Sequence, residues 1–301
     1  GRRMRASLWE TVSRWVLAAR PKTLVASLIP VFAGASLAYG STGKLPLVLL
    51  VLAVLFSLLI QIGTNFSNDY FDDLRGADRN RALGPSRSVS SGSISGKTMI
   101  RASLAILALA FAIGVVLMEA SGASRQLLWV GALSVIFAIG YTGGPFPLAY
   151  VGLGDLFVVL FFGFVAVCGT HYVLVVGAAG EWEPNWVAAL GIGLVINNLL
   201  VVNNTRDCGE DELVGKRTLV VLFGRKFGLL LYAVGIVGSA LVCPWLDRTM
   251  MPLVWVFPLG LFCFVKLAKA STKEEYGSTL SLTALSILAY GVLFVHAFGG
   301  S

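Results

Sequence analysis

The stretch LPLVLLVLAVLFSLLIQIGTNFSNDYFDDLRGADRN, Leu45 to Asn80, joins two kinds of sequence that seldom stand together. Its first sixteen residues are almost purely apolar, whereas its last sixteen carry four Asp and three Asn. About 20 apolar residues in a helix cross the hydrocarbon core of a bilayer. The first half therefore reads as a membrane span, and the second half sets carboxylates at its end. Charges at membrane depth are costly and ordinarily face a bundle interior or a wet cavity, with a partner. What that partner is decides the function.

The rest of the chain agrees with a membrane setting. Its 301 residues are 56% hydrophobic and 13% charged, with mean hydropathy +0.82, against about 25% charged in a soluble domain. Nine apolar runs are candidate spans, near 23–40, 46–66, 102–118, 127–142, 151–177, 186–206, 227–245, 251–267 and 279–298. The eighth contains Pro252 and Pro258. The expected fold is an all-α polytopic bundle: residues 1–22 form a basic juxtamembrane segment and 23–301 a single transmembrane domain. The N-terminal stretch lacks a compact apolar core followed by a small-residue cleavage site, so no removable signal peptide is expected. Cys168, Cys208, Cys243 and Cys263 have no metal-type spacing and read as small core residues.

The net charge of +7 is explained by its distribution rather than by nucleic acid. With the N-terminus in the cytoplasm and nine spans threaded, twenty of the 23 basic residues fall on the cytoplasmic side. Only Lys44, Arg125 and Arg248 fall opposite, a strong positive-inside bias. The same threading puts NFSNDYFDD and NNTRDCGEDELVGKR on one face of the membrane.

On a continuing helix, residues three and four apart share a face. Asn65, Asn68, Asp69 and Asp72 then form one stripe after the second span, and Asn203, Asp207 and Asp211 another after the sixth. Either motif alone could be a solvated acidic cap. The pair, alike in layout and on one side, argues for a site. Oxygen-only donors without His or Cys suit Mg²⁺, which takes carboxylates, water and substrate phosphate oxygens. Arg75, Arg79, Arg81 and Arg87 after the first stripe, and Lys216 and Arg217 after the second, offer donors to non-bridging phosphate oxygens.

With these residues in view, the chain resembles the UbiA-type intramembrane aromatic prenyltransferases, and within them the branch acting on 1,4-dihydroxy-2-naphthoate. The similarity is carried by ARPKTLVASLIPVFAG (19–34), NFSNDYFDDLRGAD (65–78), GPSRSVSSGSIS (84–95), YTGGPFPLAYVGLGDLFVVLFFGFVAV (141–167) and NNTRDCGEDELVGKRTL (203–219). The resemblance implies a nine-helix bundle around a central cavity opening laterally to lipid. It also implies Mg²⁺-dependent transfer of a polyprenyl group from its diphosphate to the naphthoate, with loss of CO₂ and diphosphate, at a bacterial plasma membrane with the site on the cytoplasmic side. By position it implies Asn68, Asp72, Asp207 and Asp211 as the metal-binding set, with Asp69 adjacent. Where the family often has a further Asp after the first motif this chain has Gly76, and the acid appears at Asp78.

The chemistry then assigns roles. Lys22, Arg87, Lys216 and Arg217 are the candidate cations for the leaving diphosphate. Tyr70, Phe71, Tyr141 and Phe146 are candidate aromatic neighbours of the allylic cation. Asp155, at the start of the fifth span, is the candidate for orienting or deprotonating a ring hydroxyl. His171, alone at mid-span, reads as structural, and LRGAD (74–78) with GPSRSVSSGSIS (84–95) reads as a mobile loop able to close over the site. A cation-coupled transporter would place its acids near the midplane with broken helices and repeats. A CDP-alcohol phosphotransferase would hold its acids in one contiguous block, and this chain separates them by some 135 residues. Another aromatic acceptor, such as 4-hydroxybenzoate, homogentisate or haem, is the nearer alternative.

Overall fold

The computed structural model describes residues 8–79 and 81–300; Arg2, Arg3 and Arg5 of the basic N-terminal segment lie outside the described residues. Eleven helices organise it: α1 Leu8–Ala19, α2 Pro21–Thr42, α3 Leu47–Leu74, α4 Gly96–Ser121, α5 Leu127–Gly140, α6 Gly154–Gly177, α7 Trp186–Leu213, α8 Leu219–Phe223, α9 Arg225–Leu246, α10 Arg248–Lys269 and α11 Lys273–Gly299. No strand occurs among the described residues.

Eight of these helices are long and apolar enough to span a membrane, so the chain is a multi-pass membrane protein. The fourth expected span, 127–142, is represented by α5, whose 14 residues reach only about 21 Å against a core of about 30 Å. The chain leaves α5 through a turn at Gly144, where φ is +76°, and a 3₁₀ turn at Leu148–Tyr150. It thereby brings the Tyr141–Tyr150 segment to the end of the bundle. The proline-containing run is a helix after all: Arg248–Val256 winds as a 3₁₀ segment around Pro252, and Pro258 sits in the first turn of the α-helical part.

Small residues let the central helices close on one another, as expected where lipid supplies no hydrophobic drive between helices. A Cβ on Gly34 of α2 would come within 2.6 Å of the Val167 carbonyl of α6. Gly163 of α6 and Gly193 of α7 approach each other's helices equally closely, facing the Ala189 and Val159 carbonyls. The middle of α6, Val159–Val167, is a π-helical stretch between α-helical ends. Around this contact lies a core of Ile192, Met250, Leu253, Ile287, Tyr290 and Phe294. All four cysteines are free.

The polar ends matter most for function. Helix α3 continues past its apolar part to Leu74 and α7 to Leu213, so both Asn/Asp stripes are helical. Ser95 caps α4 through the Thr98 N–H, and the described residues between α3 and α4, 75–79 and 81–95, fold back over the ends of α3 and α7.

Candidate active site

The two stripes meet. A polar cavity of about 90 Å³ is walled by Asn68 and Asp72 from α3 and by Asn203, Asn204, Arg206 and Asp207 from α7. Arg20, Arg81, Arg87 and Lys216 add cations, and Tyr141, Thr142 and Asp155 complete the wall.

Each acid is held differently. Thr142 Oγ1 donates to Asn68 Oδ1 at 2.8 Å, and the Tyr150 hydroxyl donates to Asp72 Oδ1 at 2.7 Å. The Tyr150 ring carries the Arg75 guanidinium 5.0 Å and the Lys216 ammonium 5.5 Å from its centroid. Arg75 also donates to the Thr142 and Gly144 carbonyls at 3.1 and 2.9 Å, fixing the segment that bears both tyrosines. Asp207 accepts from Arg206 at 2.6 and 2.8 Å and from Arg81 at 2.7 Å. Asp211 pairs with Lys216 at 3.4 Å, and its Oδ2 is buried without a hydrogen-bond partner.

Outside the spans, burial and charge set the proton affinities. Burial, reinforced by repulsion from Asp72, pushes Asp78 up to about 6 despite the opposing Arg81 and Arg87. Burial, with Arg20 and Arg81 nearby, takes Arg87 well below its ordinary value. For Arg81 burial acts downward, but Asp207 and Asp78 outweigh it and hold the guanidinium above its usual value. Burial first, then the Asp72 carboxylate, raises Tyr150. It remains a phenol and a donor.

The donor set fits a hard divalent cation that takes few protein ligands. Among the described residues no three His, Cys, Asp or Glu side chains converge to hold an ion by themselves. Asn68, Asp72 and Asp207 nonetheless present hard oxygens to one cavity, and Asp211 Oδ2, four residues further along α7, is left unpartnered. That is the pattern for an ion bound by one or two carboxylates and completed by water and phosphate oxygens.

The polar cavity shares Arg20, Asn68, Tyr141, Leu200 and Asn203 with an apolar one of about 170 Å³, walled further by Phe157, Phe161 and Phe162. That one in turn shares Ile60, Gln61, Ser134, Phe161 and Phe162 with a third of about 110 Å³, reaching Ala53 and Leu117. A charged head compartment thus leads into an apolar channel running back along α3.

Of the residues singled out in the sequence, Asn68, Asp72, Asp207, Arg87, Lys216, Tyr141 and Asp155 line the polar cavity. Others stand elsewhere. Asp69 is turned to the loop and accepts the Ser88 and Val89 N–H groups, each at 3.2 Å. Lys22 is exposed and donates to Ser281 Oγ at 3.0 Å, and Arg217 is exposed. Phe146 is 79% exposed and cannot shield a cation; Tyr70 and Phe71 pack edge to face with each other, off the cavity wall. The aromatics that do wall the apolar cavity, besides Tyr141, are Phe157, Phe161 and Phe162. Buried His171 packs against Trp182, with neither ring nitrogen bonded.

Sequence reasoning misses four residues on or behind this wall. Tyr150 lies in the quoted 141–167 block but carries no charge to advertise it. Asn197, whose Nδ2 donates to Asp155 Oδ1 at 3.0 Å, is visible as a mid-span amide. Arg206 adjoins Asp207, and Arg20 precedes Pro21, where Lys22 two residues on is the more conspicuous cation.

The comparisons with known proteins agree with this geometry. The model of the UbiA prenyltransferase family matches residues 27–287. A 1,4-dihydroxy-2-naphthoate octaprenyltransferase of Haemophilus influenzae is 30% identical over 95% of this chain and 87% of its own length. Its namesake in Mycobacterium tuberculosis is 38% identical over 73% of each chain. Among solved structures, a UbiA homologue from Aeropyrum pernix K1 superposes with a TM-score of 0.69 at 16% identity, covering 91% of this chain and 97% of that one. One from Archaeoglobus fulgidus bound to DMAPP and Mg²⁺ gives 0.61 at 16% identity, over 94% and 99%. The shared fold, the match across most of the chain and the paired acidic helix ends lead to one conclusion: this protein belongs to the UbiA prenyltransferase family.

Proposed function

We propose that this prenyltransferase moves a polyprenyl group from its diphosphate to 1,4-dihydroxy-2-naphthoate, with Mg²⁺ as the metal and CO₂ and diphosphate as co-products. The observation carrying this reading is the continuity between a head compartment rich in cations and carboxylates and an apolar, aromatic-walled channel. The names of the relatives supply the acceptor. The twenty-to-three distribution of basic residues favours a cytoplasmic side for the N-terminus and the site, and the bacterial relatives favour a plasma membrane.

Asn68, Asp72, Asp207 and Asp211 would hold the ion, which neutralises charge on the departing diphosphate. Arg81, Arg87, Arg206 and Lys216 add fixed donors for its oxygens. The prenyl tail lies in the apolar channel, and Tyr141 with Phe157 borders the neck where the allylic carbon stands, keeping water from it. Asp155, steadied by Asn197, takes the proton of a ring hydroxyl as electron density moves to the carboxylate-bearing carbon. The allylic C–O bond breaks with its electron pair leaving on diphosphate, and the new C–C bond forms at that ring carbon. The carboxylate then departs as CO₂, returns its electron pair to the ring, and the hydroxyl regains its proton.

The test is to incubate purified protein with Mg²⁺, a polyprenyl diphosphate and each aromatic acid in turn. Prenylated naphthoquinol, CO₂ and diphosphate are expected with the naphthoate. Product only with 4-hydroxybenzoate or homogentisate would replace the acceptor, and no product with any acceptor would remove the reading.

A further inference from the structure

We propose that Arg20 is a receptor for a substrate oxyanion at the neck between the head compartment and the apolar channel. Arg20 is one of two non-glycine residues with positive φ among those described (φ 55°, ψ 73°). A residue before proline is ordinarily driven to extended backbone, and strain of this kind persists only where surroundings over-determine it, commonly at functional sites. The surroundings are visible: Asn65 Nδ2 donates to the Ala19 carbonyl at 2.9 Å and to Thr23 Oγ1 at 3.1 Å. Thr23 Oγ1 in turn donates to the Arg20 carbonyl at 2.9 Å. The first Asn of the first stripe is therefore spent on holding residues 19–23 in place.

That mount presents a guanidinium whose Nη2 is buried without a hydrogen-bond partner. The other cations of the compartment each stand beside a carboxylate, Arg81 and Arg206 by Asp207, Lys216 by Asp211 and Arg87 at 3.9 Å from Asp78, although Arg81 Nε and Nη1 and Arg87 Nε are likewise buried without a hydrogen-bond partner. Arg20 alone of these five borders both the polar cavity and the apolar one. An unpaired buried donor calls for an acceptor, and a planar guanidinium matches a carboxylate or a phosphate by two parallel hydrogen bonds.

The identity of that acceptor rests on the prenyl-transfer reading. The acceptor's carboxylate is attached to the ring carbon that attacks, and the donor's diphosphate is attached to the allylic carbon that is attacked. Both oxyanions must therefore come to the neck. The shared chemistry is an oxyanion presented beside the reacting carbons, and binding measurements separate its two sources.

Full-length protein in nanodiscs would be compared with Arg20→Gln, Arg20→Lys and Arg20→Gly. Dissociation constants would be measured for 1,4-dihydroxy-2-naphthoate, for 1,4-naphthalenediol without the carboxylate, and for magnesium pyrophosphate, alongside Tm. Arg20→Gln and Arg20→Gly should each weaken at least one oxyanion by about tenfold or more, leaving the diol within about twofold, and Arg20→Lys should recover part of the loss. Arg20→Gly removes the strained backbone, so its Tm should not fall. Loss confined to the naphthoate assigns the acceptor carboxylate, and loss confined to pyrophosphate assigns the donor. Unchanged affinity for both oxyanions overturns the proposal, as does equal weakening of all three ligands with a lowered Tm. Wild-type protein that turns over no donor, yet loses pyrophosphate affinity on Arg20→Gln, would sink the reaction reading and keep the receptor.

Discussion

Arg81 Nη2 lies 2.7 Å from Asp207 Oδ2 while its Nη1 lies 3.3 Å from Asp78 Oδ1, so one guanidinium ties the loop after α3 to the end of α7. Ala82 N–H adds a second tie, to Glu210 Oε1 at 2.7 Å. The loop is closed over the head compartment by a cation standing on Asp207, one of the carboxylates proposed to hold the metal.

Arg81→Ala should therefore free the loop. Both partners are nearly buried, at 10% and 5% side-chain exposure, and breaking a buried pair leaves an uncompensated charge. Amide hydrogen exchange at Ala82 and Leu83 should quicken at least ~10-fold, about 1.4 kcal/mol of local stability. Unchanged exchange would mean that the Ala82–Glu210 bond closes the loop without Arg81.

Asp72→Ala and Asp211→Ala should each abolish turnover in protein that still inserts and keeps its Tm within a few degrees. Asp69→Asn should behave otherwise. Its carboxylate is occupied by the Ser88 and Val89 N–H groups, so Mg²⁺ affinity should stay within about threefold while protease sensitivity of 84–95 rises. Metal affinity lost in Asp69→Asn, and kept in Asp72→Ala, would reverse these assignments.

Tyr150→Phe keeps the ring between Arg75 and Lys216 but removes the hydroxyl donor from Asp72. A hydrogen bond to a charged group contributes about 1.5–3 kcal/mol, so kcat/KM should fall by ~10- to 100-fold with little change in Tm. Tyr150→Ala should lose both. A Tyr150→Phe enzyme with wild-type kcat/KM would show that Asp72 needs no orientation.

Asp78 supplies the pH dependence. Its folded-state value of about 6 stands above the ordinary 3.8, so the folded protein binds this proton more tightly than the unfolded chain. The ionised group costs stability above pH ~6, and that cost is relieved as pH falls from ~6 towards ~4. In metal-free protein, the Tm of wild type minus that of Asp78→Asn should therefore rise between pH 7 and pH 5. A flat difference would place Asp78 at its ordinary value.

Much of the site is legible in the amino-acid order alone. Asn68, Asp72 and Asp207 can be placed together because helical periodicity fixes which residues share a face, and the positive-inside bias fixes which ends share a side. Lys22 and Arg217 show where that reasoning stops. Charge near a motif in sequence fixes neither the direction of a side chain nor its competing partners, and Ser281 lies 259 residues from the lysine it binds. Asp69 shares a helical face with the proposed ligands Asn68 and Asp72, but the loop amides it accepts come from a segment with no periodicity to read. The short α5 reads as a full span because apolarity continues past Gly140 into a turn.

The sequence by itself determined a multi-pass helical bundle with two acidic helix ends at one surface, since length, apolarity and charge are local properties summed along the chain. Only the tertiary structure decided which cations stand free, which carboxylates are already engaged, and that a strained arginine before Pro21 faces the neck. Those are outcomes of competition among partners distant in sequence, and they are settled by packing geometry rather than by composition.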